Sequence, residues 1–255
     1  MQRFIILGHG RSGSTLLARS LAGHPNVRMF GELLHDEEPE RERAFRAFNE
    51  GVGTRRREPR FYREGDDGAA YLRDTVFRRR RWRDVLAVGF KMFYLHARTS
   101  PRAGTAWDYL IADTDLRVVH LARANLLECW LSLQIAHVTN EWEWRKGAPG
   151  PRTHAPPLEL DPAKFEAYCN QTLAHRRWAE ERFRGHPTLG IEYEADVVGR
   201  FEQTVHRIHD FLEAPRGPAE RLLEKQARRK PREQIVNYDE FRDYFRHTLY
   251  EGFFE

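Results

Sequence analysis

The sequence predicts an α/β fold in which a parallel sheet of about five strands carries helices on both faces. Three observations predict it. Short apolar runs of strand length recur at 3–7, 26–30, 85–90, 116–121 and 188–193. Helix-length stretches at 14–23, 125–137, 162–184 and 196–212 alternate with them, as parallel crossover connections require. Between the first run and the first of these helices lies a glycine-rich turn, with Gly8, Gly10 and Gly13 inside six residues.

Each element has a local reason. Gly8 ends the first apolar run, and the helix after it sets Leu16, Leu17 and Leu21 on one face before Gly23-His24-Pro25 stops it. The second run closes on Gly31-Glu32. Residues 33–84 read as a charged, helical insertion broken near Gly51-Val52-Gly53 and Gly65-Asp66-Asp67-Gly68, and the arginines at 55–57 and 78–81 read as a solvated face. The fourth run passes into a helix near Asn125. Proline, glycine and tryptophan crowd 141–160, which reads as a mobile loop and not as a domain linker. The tail is helical, with a breaker at Lys230-Pro231, and no internal repeat divides the chain. One domain over 1–255 is the expectation.

Composition narrows the function classes. The 255 residues are 40% apolar, enough for a sizeable core, and 31% charged with both signs mixed, which argues against wholesale disorder. No apolar stretch approaches the roughly 20 residues of a membrane span, and the chain enters its first apolar run too early for a signal peptide. Cys129 and Cys169 are too few for a disulfide scaffold or a cysteine-based zinc site. A cytoplasmic protein with no membrane span is expected. Lys91, Lys146, Lys164, Lys225 and Lys230 are the only lysines, so arginine supplies most of the basic charge. Codon bias explains that excess, and so does recognition of phosphate or sulfate by guanidinium groups.

A turn between strand and helix aims its backbone N–H groups at an anion. Residues 8–13 satisfy the dinucleotide spacing Gly-x-Gly-x-x-Gly, with Glu32 where a ribose-binding acid would stand. They also satisfy a P-loop spacing, with Ser14 in place of the lysine. Phosphoryl transfer requires that lysine and a carboxylate for Mg²⁺, whereas the fourth strand run is followed by Ala122-Arg123. Hydroxyls and a guanidinium at this density suit a terminal oxyanion that is held and then released.

Taken whole, Gly10-Arg11-Ser12-Gly13-Ser14-Thr15-Leu16-Leu17 resembles the 5′-phosphosulfate loop of sulfotransferases that use 3′-phosphoadenosine 5′-phosphosulfate (PAPS). Its continuation to Gly31-Glu32 resembles the opening of the bacterial carbohydrate and tyrosylprotein sulfotransferases. Arg123-Ala124-Asn125-Leu126-Leu127, leading to Trp130-Leu131-Ser132, is similar to the 3′-phosphate motif, with the Asn-Leu-Leu centre of the nodulation-type bacterial enzymes. Weaker likenesses lie at Ile191-Glu192-Tyr193-Glu194, at His209-Asp210-Phe211-Leu212 and at 233–240. The family pattern has a histidine after the third strand in its hormone-type members, whereas Lys91-Met92-Phe93 has none, and His96 lies further on.

The resemblance implies a P-loop-like, three-layer α/β/α fold and sulfuryl transfer from PAPS to a hydroxyl of a carbohydrate or other small molecule, leaving the bisphosphate PAP, without a metal. It implies that Gly10, Arg11, Ser12, Gly13, Ser14 and Thr15 hold the 5′-phosphosulfate. Arg123 and Ser132, joined by one of Arg228, Arg229 and Lys230, would hold the 3′-phosphate, with Tyr193 bordering the adenine. Glu32 is the expected base, assisted by Arg11 and Lys91, with His96 as the substitute base. Trp142, Trp144 and the arginines at 78–81 are candidate walls of the acceptor site. No nucleic-acid partner is expected, and a homodimer is the assembly considered. Plainer roles stand beside these: Ser12, Ser14 and Thr15 as helix caps, Glu32 as a helix-start carboxylate, Tyr193 as a core aromatic, Arg123 and Ser132 as surface groups. Two rival functions are a nucleotide-dependent kinase or hydrolase and a non-catalytic anion or nucleic-acid binder.

Overall fold

A computed structural model describes the chain except residues 38–39, 41, 45, 47, 49–58, 79–83, 99, 145, 147–154, 224–228 and 255. Five strands form one sheet, and all of its pairings are parallel: β1 (Gln2–Gly8), β2 (Val27–Glu32), β3 (Ala87–Phe93), β4 (Arg117–Ala122) and β5 (Thr188–Glu192), in the order β2-β3-β1-β4-β5. β1 lies at the centre because its side chains are apolar on both faces. Ile5 and Leu7 pack on one side with Trp107, Leu110 and Phe183, and Phe4 and Ile6 on the other with Leu17, Leu21 and Ile208. Helices therefore cover both faces, and the three-layer α/β/α expectation holds.

The helices that position the site are α1 (Ser14–Ala22), α2 (Pro101–Ala112), α3 (Leu126–Thr139), α4 (Pro162–Arg182), α5 (Phe201–Phe211) and α6 (Tyr238–Tyr244). Local caps start three of them. Ser100 accepts from the Ala103 N–H, Asn125 from Glu128, and Asp161 from Ala163 and Lys164, and proline follows both Ser100 and Asp161. A third apolar cluster, with Trp130, Phe165, Phe241 and Phe245, seals α6 and the tail onto α3 and α4.

Two sequence expectations change. Helix α2 has no counterpart in the sequence expectation, because two of its four buried positions, Ala103 and Ala106, are alanines that blur the apolar stripe of Trp107 and Leu110. The insertion at 33–84 is less helical than its composition suggests. Residues 33–37 and 59–67 form no helix, described residues between 40 and 48 include helical ones, and Gly68–Tyr71 runs into a π-helical Leu72–Val76. Arg55, Arg56, Arg57, Arg79, Arg80 and Arg81 lie outside the described residues, and Arg78 is exposed.

The chain leaves β1 toward β2 on one side and later crosses to β4 on the other, so the order of strands reverses at β1. In open α/β sheets the crevice at the carboxyl ends of such strands is where ligands bind. The turns after β1 and β4 meet there. On α5, His209 is fully buried, accepts the Gly217 N–H on Nδ1 and leaves its Nε2 without a partner.

Burial lowers His209, His96 and His120 to about 4, from the usual 6.5. The unfolded chain therefore binds more protons than the folded one between those values, and stability falls as pH falls through that window. Urea unfolding at pH 7 and pH 5 is expected to show a loss on the order of 1–2 kcal/mol for each such group, and His209→Gln should remove part of it. Equal stability at the two pH values would contradict this burial account.

Candidate active site

The turn after β1 is shaped for an anion. Arg11 (φ 62°) and Gly13 (φ 87°) both lie in the left-handed region, which turns successive N–H groups toward one side at the start of α1. Gly13 also lacks room for a side chain, since a Cβ there would stand 2.4 Å from the Tyr193 ring. Ser12 is fully buried and donates to the His9 carbonyl at 2.7 Å, so its hydroxyl holds the turn. Ser14 is buried, and no side chain caps α1; its first N–H groups are left to the turn and to whatever binds in it. Gly10 has open space around its Cα, on the approach to the turn. Beneath the turn, Cys129 Sγ donates to the Gly10 carbonyl at 3.3 Å, and His9 Nδ1 lies 3.5 Å from the same sulfur.

Two guanidinium groups flank this turn. Arg11 donates from Nε and Nη2 to the Ser132 hydroxyl at 3.1 and 3.0 Å, and from Nη1 to the Trp142 carbonyl at 2.7 Å. Arg123 stacks over Tyr193, 4.6 Å from the ring centre, and donates to Glu194 at 3.1 Å, Glu128 at 2.8 Å and the Arg11 carbonyl at 3.1 Å. Glu194 also accepts the Ala124 N–H at 2.9 Å, which locks the turn after β4 to the start of the segment after β5. Arg11, Ser132, Arg123, Tyr193 and the turn thus form one cluster at the switch point. Trp142 joins this cluster through its carbonyl. Arg229 and Lys230 are exposed, and Arg228 lies outside the described residues.

The third part is an ion pair built by a bulge. β2 and β3 run in regular register up to Phe30 opposite Phe90; the next pairing is Glu32 opposite Lys91, so Gly31 is skipped. The skipped residue must be small, because a Cβ on Gly31 would stand 2.9 Å from Phe48. Bulges re-aim the side chains that follow them. Here Glu32 Oε1 reaches Lys91 Nζ at 2.9 Å, while the same ammonium donates to Thr15 Oγ1 at 2.6 Å. His96 brings Nε2 to 3.6 Å from the other carboxylate oxygen. Burial alone would raise the Glu32 carboxyl, but the Lys91 charge, with His96 and His35 beside it, prevails and holds it at about 2.

Glu32, His35 and His96 each place one potential ligand atom within 4.8 Å of the others. Two imidazoles and a carboxylate are a donor set that transition metals accept. His96, however, uses Nδ1 to accept the Phe93 N–H at 3.3 Å, which leaves its proton on Nε2, the nitrogen facing Glu32. With the proton there, that nitrogen has no lone pair to offer a metal. His35, Glu128 and Glu143 were not singled out from the sequence. His35 stands three residues after Glu32, and that spacing was the available signal. Glu143, which pairs with the buried Arg19 at 2.6 Å, gave none.

Comparison with known proteins places the chain in a family. The model of the "Sulfotransferase family" matches residues 3–218, a span that holds the turn after β1, the bulge at Gly31, both arginines and Tyr193. The chain belongs to the sulfotransferase family. This sulfotransferase is 28% identical to Nodulation protein H of Rhizobium tropici over 261 residues, covering 99% of this chain and 92% of that one. It is 27% identical to Nodulation protein H of Rhizobium meliloti (strain 1021) over 260 residues, covering 100% and 95% of the two chains. A solved sulfotransferase from Alicyclobacillus acidocaldarius aligns over 96% of this chain and 91% of its own, with 17% identity and a TM-score of 0.47. Among the described residues no helix is long and apolar enough to cross a membrane.

Removing Lys91 leaves a buried carboxylate without its counter-charge. Lys91→Met is expected to destabilise the folded enzyme by about 3 kcal/mol at pH 8. Glu32 would then take up a proton more readily, so the penalty should shrink at pH 5. Chemical denaturation of both proteins at the two pH values measures it, and a penalty that grows on acidification would contradict the pairing.

Proposed function

We propose that this sulfotransferase takes its sulfuryl group from PAPS and passes it to a hydroxyl of a carbohydrate or other small molecule in the cytoplasm. The observation that carries the reading is Lys91: one ammonium touches both Thr15 of the anion turn and the Glu32 carboxylate. A donor phosphosulfate in the turn and an acceptor hydroxyl at Glu32 would therefore face each other across Lys91.

The reaction breaks the bond between sulfur and the bridging phosphate oxygen and forms one from sulfur to the acceptor oxygen, roughly in line. The acceptor proton goes to Glu32, and the leaving phosphate keeps the bridging electron pair. Because the transferred group bears little charge, positioning and electrostatics do most of the work. The backbone N–H groups around Gly13 and Ser14 bind the 5′-phosphate end, and Arg11 and Lys91 stabilise charge growing on the bridging oxygen. For that, Arg11 exchanges its bond to the Trp142 carbonyl for the phosphosulfate. Arg123 still has two of its five N–H groups for the 3′-phosphate, since three are engaged. Ser132, held by Arg11, stands beside it, and Tyr193 offers a ring for the nucleoside. Glu32 at about 2 is a weak base while Lys91 neutralises it. As the ammonium turns toward the sulfuryl group, the carboxylate regains basicity.

A kinase or hydrolase reading lacks support at the end of β4, where a cation, Arg123, stands and is salt-bridged to Glu128 and Glu194. Thermal unfolding with PAP, ATP or NAD, each with and without Mg²⁺, separates the readings. PAP alone should stabilise, independently of Mg²⁺; stabilisation by ATP only when Mg²⁺ is present would overturn the donor assignment. Arg11→Ala should keep the fold and lose transfer by at least about 100-fold, measured with radiolabelled PAPS and a panel of hexoses, N-acetylhexosamines and their disaccharides. Arg123→Ala should weaken PAPS about ten-fold or more while leaving adenosine 5′-phosphosulfate, which lacks the 3′-phosphate, nearly unchanged. Equal weakening of both ligands would remove Arg123 from the 3′ site.

A further inference from the structure

We propose that His96 is the positioning residue of the base: its Nε2–H holds the Glu32 oxygen that Lys91 leaves free, and it does not itself take the acceptor proton. The inference rests on the reading of Glu32 as the base.

The geometry assigns the roles. Lys91 occupies Oε1 of Glu32 at 2.9 Å, so Oε2 is the oxygen turned to an acceptor, and His96 Nε2 is 3.6 Å from it. That separation lies just beyond a hydrogen bond, and catalytic contacts of this kind tighten when substrate binds. Oε2 has two lone pairs, one for the imidazole N–H and one for the acceptor hydroxyl. The ring is fixed on its other sides. The Phe93 N–H donates to Nδ1 at 3.3 Å, the His96 N–H donates to the Phe93 carbonyl at 3.0 Å, and the Trp107 indole donates to the His96 carbonyl at 2.8 Å. Phe93 and His35 pack against the imidazole at 4.9 and 5.2 Å between ring centres. Since Nδ1 already accepts a backbone hydrogen, the single proton of the neutral ring resides on Nε2, and that nitrogen has no lone pair with which to act as a base.

The electrostatics agree. The ring is only 4% exposed; the titratable groups facing it are Glu32 from β2, His35 and Asp36 from the segment after β2, and Lys91 from β3. Burial, reinforced by His35 and Lys91 and opposed by Glu32 and Asp36, lowers His96 to about 4, so it is neutral at physiological pH. A neutral donor aligns the carboxylate without adding a second full charge to compete with Lys91. No proton is exchanged with His96 in the cycle: the acceptor proton stays on Glu32 until product leaves.

Two measurements on the intact enzyme test the assignment. The ¹⁵N shifts of selectively labelled histidine, with His96→Gln used to identify the signal, should show a neutral His96 with a protonated Nε2 at pH 7. A protonated Nδ1 would overturn the proposal. Transfer from PAPS to the best acceptor of the saccharide panel should then be followed against pH. His96→Ala should lower kcat about ten-fold with KM for PAPS within about two-fold, and should move the acidic limb of kcat upward, because the carboxylate loses a donor. His96→Gln, whose amide N–H reaches in the same direction, should restore part of the rate and of the limb. An unchanged limb in His96→Ala would make the residue merely structural. Loss of the limb, with Glu32→Gln still active, would make His96 the base. Wild-type enzyme that neither binds PAP nor turns over PAPS would overturn the donor assignment instead, and the tautomer would still decide for or against His96.

Discussion

The contact on which the rest of the site depends is the Lys91 ammonium, held between Thr15 and Glu32 at the carboxyl ends of β1, β2 and β3. A lysine only 3% exposed in the middle strand of three is costly unless its charge is matched. The match comes from the Gly31 bulge, which slips β2 by one residue and sets Glu32 opposite Lys91. Both groups are thereby desolvated together. Because the same ammonium also bonds the first turn of α1, the geometry of the anion turn and that of the carboxylate are fixed by one group.

A second set of contacts frames the other side of the turn. Arg123 ties the turn after β4 to the carbonyl of Arg11, and Glu194 ties it to the start of the segment after β5. Tyr193 fills the space that the missing side chain of Gly13 leaves, so the left-handed backbone there is packed as well as permitted. Arg11 reaches from the turn to the helix and the segment opposite. Its side chain spans the gap to Ser132 and the Trp142 carbonyl, bonds that a charged ligand can replace. The segment around Trp142 and Glu143 is held at two points, by Arg11 and by the buried Arg19, so binding in the turn and the placement of that segment are mechanically linked.

Much of this was legible in the sequence, for physical reasons. The five strands were readable because their buried runs are apolar on both faces, and the observed strands fall within a few residues of the expected ones. The turn after β1 was readable because left-handed backbone and close approach leave few residues other than glycine. The helix at Pro101–Ala112 was missed, although Ser100-Pro101 is a sound start signal, because alanines and a glycine weaken its apolar stripe. The meeting of Glu32, Lys91 and His96 was not legible. In the sequence Glu32 and His96 read as competing bases, and only the bulge and the bend after β3 bring them together with Lys91. Partners such as Glu128 and Glu143 carry no pattern of their own, since a lone charged group gains meaning only from what faces it.

The coupling of Glu32 and Lys91 is the claim that everything else leans on, and a double-mutant cycle tests it most directly. Single-turnover rates of transfer from PAPS would be measured for Glu32→Gln, Lys91→Met and the double variant. Residues that act as one unit lose most of the rate in the first substitution. The double variant is therefore predicted to be within a few-fold of the slower single variant; losses that multiply across the two positions would contradict the account.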